Sequence, residues 1–366
     1  MTDGQTIRPL TSLRFFAAAW VVLFHYWPKL HTDLALPALV DKGYLGVELF
    51  FILSGFILCH VYRTTLEEGR FRYGHFLWAR LARVYPLHLA TLIGMIVLGV
   101  GAGLAGLTID SHILSWASLP ANIFLVQAWG FAPDAAFNHP SWSISAEWFA
   151  YLTFPAFAWA ALALKDRPLV AVGGAVLLMV GLYTAFESVA GFPLTRATIA
   201  WGALRIVPCF ALGCALHALW RARPAASRAL AGLGAGACLL GVITVSSFSG
   251  PDALIVPLLG GLILFLARLA QTGAKVLEQG PLVYLGEISY SIYMICVPWK
   301  IVFVNLASKF LQISDERLPL GLWLVFLIGV IPLAACSYHL IENPARARMK
   351  LWSDSWDARR RAAAPA

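Results

Sequence analysis

Charged residues are scarce in this chain: Asp, Glu, Lys and Arg make up only 13% of its 366 residues. A soluble domain carries about 25% charged residues, so the composition excludes an ordinary soluble protein. In their place, 60% of the residues are hydrophobic and the mean hydropathy is +0.74. Apolar runs of about 20 residues recur along the chain, each long enough to cross ~30 Å of hydrocarbon. Short alternating segments of the kind that form membrane β-barrels are missing. The sequence therefore predicts an all-α, polytopic membrane helix bundle.

Cysteine is also rare, with six residues in the chain, and all six fall within predicted spans. No CxxC pair and no His/Cys cluster with zinc spacing occurs, so we expect neither a disulfide framework nor a metal site. No permanently bound cofactor is expected. A cleavable signal peptide is missing too, because the first apolar run, near 10–27, is interrupted by Arg14 and is expected to be retained as a span.

The apolar runs predict ten spans. Their approximate bounds are 10–28, 43–62, 84–107, 142–164, 168–188, 198–220, 229–248, 252–270, 287–308 and 319–341. With the N-terminus inside, the cytoplasmic segments hold 20 of the 27 Lys and Arg residues and the outer segments hold five. This bias follows the positive-inside rule, so both termini are predicted to be cytoplasmic. The stretch 113–129 is predicted to be a loop in the outer interface, because an eleventh span would invert every later loop.

The chain shows no internal repeat and no break in composition that would delimit a soluble domain. We therefore expect a single integral-membrane domain over 1–345 and a short, basic, disordered cytoplasmic tail over 346–366. The net charge of +8 is explained mainly by topology, so no nucleic-acid partner is predicted.

Ionisable residues inside spans are costly and indicate function. The first span carries Arg14 and His25, eleven residues apart. On a helix that spacing is ~16 Å and close to three full turns, so the two side chains share one face.

Two layers of polar residues are predicted from depth along the spans. Glu48, Glu147 and Arg205 are placed in the outer third of their spans, level with His25. A His with carboxylates to orient it is what general-base catalysis requires. The inner layer consists of guanidiniums, which suit phosphate; its members are Arg14, Arg80 and Arg83. A long donor with phosphates at one end, such as acyl-coenzyme A, would bridge the two layers.

Several of these residues have a simpler interpretation when taken alone. His25, at the end of a span, would be an interfacial residue. Arg80 and Arg83 would be positive-inside anchors, and Glu147 or Arg205 would belong to a structural ion pair. Because polar residues of four predicted spans are expected at the same depth, a shared functional site is favoured over separate topology anchors.

Six motifs, in order and at fitting span positions, resemble those of the acyltransferase 3 family. They are an R-x10-H element between Arg14 and His25, the glycine- and phenylalanine-rich run 46–56, the basic element 80–86, the W-S-I-S-A-E segment 142–147, and the late elements 288–293 and 341–344. The resemblance runs nearly from end to end. It implies a ten-span fold, acyl-CoA as co-substrate and O-acylation of surface glycans or related acceptors.

The resemblance also implies roles for individual residues. His25 would be the catalytic histidine, Arg14 a donor-binding residue, and Glu147 a member of the reaction layer. Arg80 and Arg83 would belong to the region that binds the donor phosphates. Two positions depart from the family pattern: Glu48 stands where Asp is common, and Cys296 stands where many members have His.

The predicted mechanism has His25 removing the proton of an acceptor hydroxyl, with its tautomer fixed by Glu48 or, alternatively, by Glu147. Candidates for oxyanion or acceptor contacts are Ser145, Arg205 and Tyr290. Glu342 is predicted to pair with Arg80 or Arg83. Direct transfer and a transient acyl-His25 both remain open.

The sequence thus predicts a multi-pass acyltransferase of the bacterial inner membrane that moves an acyl group, acetyl by default, to the extracytoplasmic side. A glycan, a lipid-linked glycan and a small molecule all remain open as acceptors. The principal alternative is a proton-coupled transporter, because buried His, Glu and Arg also form proton relays. A non-catalytic translocation partner is a further alternative. Release of coenzyme A that depends on His25 distinguishes the enzyme from both.

Overall fold

Helices make up nearly all of the regular structure. The computed structural model describes residues 6–104, 113–225, 227–313 and 316–362, and within these ranges there is no strand, only an isolated bridge between Leu30 and Leu318. The α-helices in chain order are α1 (Arg8–Tyr26), α2 (Ala38–Asp41), α3 (Gly46–Glu67), α4 (Tyr73–Leu104), α5 (Leu119–Ile123), α6 (Trp142–Ala163), α7 (Pro168–Ala190), α8 (Gly202–Ala222), α9 (Arg228–Ser247), α10 (Asp252–Gln271), α11 (Gly280–Glu287), α12 (Ser289–Leu311), α13 (Leu320–Ser337) and α14 (Asn343–Ala362).

Each predicted span coincides with one long helix, namely α1, α3, α4, α6, α7, α8, α9, α10, α12 or α13. In the described part of the chain, eight helices are long and apolar enough to cross a membrane; α1 and α6 lie outside that set. Many large apolar side chains on these helices are exposed, as expected for surfaces that face lipid. The prediction of a polytopic helical bundle is confirmed, whereas the number ten and the side of each terminus remain predictions.

The stretch 113–129 contains no spanning helix, in agreement with the sequence prediction. It forms the 3-10 turn Trp116–Ser118, helix α5 and the 3-10 turn Gln127–Trp129. Pro120 occupies the first turn of α5, where its missing N–H costs nothing.

The part of the predicted disordered tail that the structure describes, residues 346–362, is helical. After α13, the π-helical turn Tyr338–Glu342 leads directly into α14. Helix α14 packs against α4, and the Trp78 indole N–H donates to the Met349 carbonyl oxygen at 2.8 Å. This contact ties the segment to the bundle, which explains why the expectation of disorder was wrong for this stretch.

Helices α3 and α8 pack closely, because two glycines let their backbones approach. A Cβ at Gly55 would clash with the Phe210 carbonyl oxygen, and one at Gly213 would clash with the Ile52 carbonyl oxygen. Small residues serve this purpose in membrane bundles, where packing rather than hydrophobic burial drives helix association.

Replacing Gly213 with alanine is therefore expected to lower the thermal unfolding midpoint in detergent, because overpacking a tight contact costs about 1–3 kcal/mol. Gly181 on α7 has open space around its Cα, so Gly181→Ala serves as the matched control and should leave the midpoint unchanged or slightly raised. Equal midpoints for the two variants would contradict this close approach of α3 and α8.

The C-terminal end of α1 is fixed to α12 and α13 through Tyr26. Its hydroxyl donates to the Cys296 carbonyl oxygen at 2.8 Å, and its own carbonyl oxygen accepts from the Trp323 indole at 2.9 Å. The Tyr26 ring stacks on Phe326 with centroids 3.9 Å apart. These contacts hold the neighbouring residue, His25, in a defined position.

Candidate active site

A cavity of about 330 Å³ lies between α1, α3, α4, α6 and α12. Its size falls in the range of small-molecule sites, which is about 300–1,000 Å³. Four arginines and a glutamate supply the charged part of its lining, namely Arg14, Arg80, Arg83, Arg346 and Glu147. The rest of the lining is mainly apolar and aromatic, with a few hydroxyl groups. The structure thus brings the three arginines predicted for donor binding into one cavity.

The arginines of the cavity form no ion pair with a carboxylate in the part of the chain that the structure describes. Among the described residues, no carboxylate lies within ion-pair distance of Arg14, Arg80 or Arg83. The Nε of Arg80 is buried without a hydrogen-bond partner, and its guanidinium carbon lies 5.7 Å from the Tyr62 ring centroid. Uncompensated guanidiniums in a low-dielectric cavity favour an anionic ligand, and their planar donors match phosphate.

Glu147 lies in this cavity and not beside His25, which corrects its predicted depth. Its Oε1 accepts hydrogen bonds from the Ser54 hydroxyl at 2.8 Å and from the Tyr151 hydroxyl at 2.5 Å. Ser54 stands six residues after Glu48 on α3, so Glu147 is ~9 Å deeper than Glu48. Its charge acts on Arg14. Glu147 therefore places a negative charge near Arg14 inside the cavity.

Glu48 is committed to Arg205, so the prediction that it fixes the tautomer of His25 is wrong. Arg205 donates from Nε to Oε1 at 2.5 Å and from Nη2 to Oε2 at 3.0 Å, and both residues are buried. The remaining Nη1 of Arg205 donates to the Ala197 carbonyl oxygen at 2.8 Å, and the guanidinium carbon lies 4.6 Å from the Trp142 ring centroid. Three of the five N–H donors of Arg205 are thus engaged within the bundle.

The depth of Glu48 also differs from the prediction. Gly46 packs directly against the Ala17 carbonyl oxygen and the Val21 side chain of α1. Glu48 therefore lies about two helical turns, or ~11 Å, below His25. Of the four residues expected in the outer layer, Glu48 and Arg205 come together, whereas His25 and Glu147 do not join them.

His25 has its tautomer set by its own helix. The Nδ1 lies 3.0 Å from the Val21 carbonyl oxygen, and a carbonyl only accepts, so Nδ1 carries the hydrogen. The neutral ring then presents the lone pair of Nε2, the atom that a general base uses. The side chain is partly exposed and lies outside the cavity lining.

The two other candidates for oxyanion or acceptor contacts are also hydrogen-bonded within the bundle. The Ser145 hydroxyl donates to the Leu125 carbonyl oxygen at 2.7 Å and accepts from the Ala128 N–H at 3.0 Å, so it anchors the segment before α6. Tyr290 lines the cavity, and its hydroxyl donates to the Val84 carbonyl oxygen at 2.6 Å. Ser145 is therefore a structural residue, whereas Tyr290 keeps acceptor capacity towards the cavity.

Sequence reasoning missed two residues around His25. His139, in the 3-10 turn His139–Ser141, and Lys300, on α12, both lie within electrostatic range of the His25 ring. Burial, with a smaller contribution from the Lys300 charge, lowers the pKa of His139 to about 4, so this ring is neutral at physiological pH. Lys300 carried a sequence signal, as a cation inside a span, whereas His139 lies in a connecting segment with no motif of its own.

The turn His139–Ser141 separates the cavity from His25. The Pro140 carbonyl oxygen accepts from the hydroxyls of Tyr293 and Ser143, each at 3.1 Å, and both of these residues line the cavity. The cavity thus ends below Pro140, with His25 beyond it.

The remaining charged candidate, Glu342, is held by a neutral partner. Its Oε2 accepts from the Ser291 hydroxyl at 2.7 Å, and no ion pair joins it to Arg80 or Arg83 in the part of the chain that the structure describes. The charge of Arg83 still acts on it. The same described residues contain no group of three or more His, Cys, Asp and Glu side chains that would hold a metal ion.

Comparison with known proteins gives a family match over residues 9–341, to the acyltransferase domain of the acyltransferase 3 type. The acyltransferase MdmB of Streptomyces mycarofaciens is 31% identical over 314 residues, which cover 78% of this chain and 77% of that protein. No solved structure matches the chain.

Two further relatives are longer proteins. The peptidoglycan O-acetyltransferase OatA of Listeria monocytogenes is 23% identical over 92% of this chain and 55% of its own length. The O-acetyltransferase OatA of Staphylococcus aureus is 23% identical over 94% of this chain and 58% of its own length. The present chain thus spans a little over half the length of these two relatives.

Proposed function

Because the chain belongs to the acyltransferase 3 family and is a membrane O-acyltransferase, we propose that it transfers an acyl group from acyl-CoA to a glycan hydroxyl on the extracytoplasmic side. One observation carries the proposal. Helix α1 carries Arg14 in an arginine-lined cavity and, ~16 Å further along, His25 with Nε2 available as a base. The same helix therefore links a phosphate site to a proton acceptor.

The names of the relatives favour acetyl as the acyl group and a glycan as the acceptor. One OatA relative is named a peptidoglycan O-acetyltransferase and another an O-acetyltransferase. Family membership favours acyl transfer over the proton-coupled transport that the sequence alone leaves open. We propose a multi-pass protein of the bacterial inner membrane with both termini in the cytoplasm, in line with the distribution of Lys and Arg.

In this proposal the donor enters the cavity with its phosphates on Arg14, Arg80 and Arg83. Its thioester points toward the other end of the cavity, which is lined by Val47 and Tyr293. The pantetheine arm passes beside the turn at Pro140 to bring the thioester carbon within reach of the acceptor.

The chemistry at His25 follows from its tautomer. The lone pair of Nε2 takes the proton of the acceptor hydroxyl, and the oxygen attacks the thioester carbonyl carbon. The C–O bond forms and the C–S bond breaks. The leaving thiolate then takes the proton from Nε2, which returns His25 to its starting state with the hydrogen still on Nδ1. Val21 positions the ring throughout, so no carboxylate partner is required.

Membrane vesicles of defined orientation test the proposal. In inside-out vesicles, which expose the cytoplasmic face, labelled acetyl-CoA should release coenzyme A and label an endogenous glycan. Intact right-side-out vesicles should not react, because acetyl-CoA does not cross the membrane. Equal reaction in both orientations would contradict the proposed sidedness, and no consumption of acetyl-CoA in either would contradict the donor.

In the same vesicles, Arg14→Gln is expected to raise the KM for acetyl-CoA about tenfold or more, since a hydrogen bond to a charged group contributes about 1.5–3 kcal/mol. The value of kcat should change less, because the phosphates are bound in the ground state and the transition state alike. Arg63→Gln is the matched control: Arg63 lies on α3, pairs with Glu67 at 2.8 Å and does not line the cavity. An unchanged KM in Arg14→Gln would remove Arg14 from the donor site.

A further inference from the structure

We propose that Arg346, on helix α14, selects the donor by binding the 3′-phosphate of the CoA nucleotide. Acyl carriers that lack this phosphate would then be used less well. The inference rests on the proposed function, because it names a contact of the same donor at the same cavity. Arg346 lies beyond residue 341, where the family match ends, so the family pattern assigns it no role.

The position of Arg346 is the first argument. Arg346 lines the cavity but is exposed to solvent, whereas Arg14, Arg80 and Arg83 are partly buried. Arg346 therefore lies at the mouth of the cavity, farther out than the other three guanidiniums.

The attachment of α14 is the second argument. Four residues before Arg346, Glu342 is held by the Ser291 hydroxyl, and three residues after it, the Met349 carbonyl oxygen accepts from the Trp78 indole. Both contacts flank the guanidinium within two helical turns, so the backbone holds Arg346 at the mouth of the cavity.

The balance of charge is the third argument. Arg80 and Arg83 both lie close enough to Arg346 for their like charges to act on it, with Glu342 acting in the opposite sense. No described carboxylate forms an ion pair with Arg346. Like charges held together in this way disfavour the empty site and favour a ligand with more than one phosphate group.

The chemistry of the donor then assigns the phosphates. In acyl-CoA the thioester is at one end, the diphosphate lies between the pantetheine arm and the nucleotide, and the 3′-phosphate is on the ribose. A donor whose thioester is innermost places the 3′-phosphate at or near the mouth. The diphosphate is then bound by the deeper arginines, and the 3′-phosphate is bound by Arg346.

A lipid headgroup offers the same phosphate chemistry from a different source. Helix α14 also exposes Leu351 and Trp352, side chains that would contact a membrane surface. The experiment therefore has to separate donor phosphate from lipid phosphate.

Purified full-length protein would be assayed with acetyl-CoA and with acetyl-3′-dephospho-CoA, in detergent without lipid and in nanodiscs that contain anionic phosphatidylglycerol. Arg346→Gln should raise the KM for acetyl-CoA about tenfold, equivalent to ~1.4 kcal/mol, and leave the KM for the dephospho donor and both kcat values unchanged. Arg348→Gln is the matched control, because Arg348 is exposed on the same helix and does not line the cavity. This variant should change neither KM nor kcat for either donor.

Three results would overturn the inference. An equal rise in KM for both donors would mean that Arg346 binds another part of the nucleotide. An effect seen only with phosphatidylglycerol would assign Arg346 to lipid, and identical behaviour of the two variants would leave it no specific role. Calorimetric binding of CoA and 3′-dephospho-CoA separates these results from failure of the proposed function. If the wild type binds neither nucleotide, the donor itself is wrong.

Discussion

Replacing His25 with glutamine is expected to lower kcat by about 10²–10⁴-fold, the usual contribution of a positioned general base. Glutamine keeps a polar group of similar reach but has no basic lone pair at nitrogen, so proton removal from the acceptor stops. The KM for acetyl-CoA should stay within about twofold, because the cavity that holds the donor does not include His25. Release of coenzyme A in vesicles, measured at saturating donor, gives both quantities.

The neighbouring ring of His139 provides the control for this variant. His139→Gln removes a second imidazole that lies within electrostatic range of His25 but is not placed in the proposed reaction. It should reduce kcat far less than His25→Gln. A loss as large as that of His25→Gln would transfer the role of base to His139, and full activity of His25→Gln would refute the mechanism.

An acid quench of the wild type with labelled acetyl-CoA alone addresses the acyl-His alternative that the sequence left open. A covalent label that disappears in His25→Gln would favour transfer in two steps through the ring. Direct attack by the acceptor predicts no such label.

The second large effect is expected on stability, at the buried pair of Glu48 and Arg205. Glu48→Gln should destabilise the protein by about 3–5 kcal/mol, because it leaves the guanidinium buried without its counter-charge. The measurement is the unfolding midpoint in detergent. Replacing both residues with methionine should restore much of the loss, since a buried pair exchanged for apolar side chains is often neutral or stabilising.

A partly exposed pair on the same helix gives the comparison. Arg63 and Glu67 on α3 are four residues apart, and a helical surface pair of this kind contributes about 0.3–0.5 kcal/mol. Glu67→Gln should therefore hardly move the midpoint. If Glu48→Gln kept the midpoint and lost kcat instead, Glu48 would belong to the chemistry, as the sequence first suggested.

The helices were predictable because each apolar run is long, and its length alone identifies a helix in a membrane. The relation of Arg14 to His25 was predictable for the same local reason, since both lie on α1. The relative depth of residues on different helices was not predictable from the sequence. Gly43, just before α3, and Gly46, at its start, pack closely on the C-terminal half of α1, so Glu48 is well separated from His25 along the helix axis. Counting residues from the start of a span cannot show such an offset.

The hydrogen-bond and ion-pair partners of the buried polar groups also could not be predicted from the sequence. A carboxylate near a histidine in a predicted layer suggests a pair, but Glu48 lies opposite Arg205 on α8 and His25 bonds Val21 of its own helix. Arg346 was counted only as a topology charge, because nothing in the local sequence shows that α14 returns to the mouth of the cavity. Tertiary packing decided each of these contacts.

The turn at Pro140 has a consequence for the membrane as a permeability barrier. A passage open from end to end of the bundle would let protons run down their gradient and waste the energy stored there. Here the cavity stops where Tyr293 and Ser143 bond the Pro140 carbonyl oxygen. An ion that entered the cavity would meet four guanidiniums and then a closed backbone turn. When no donor arm passes beside the turn, the charged cavity therefore ends inside the bundle, and its four guanidiniums repel cations that enter it.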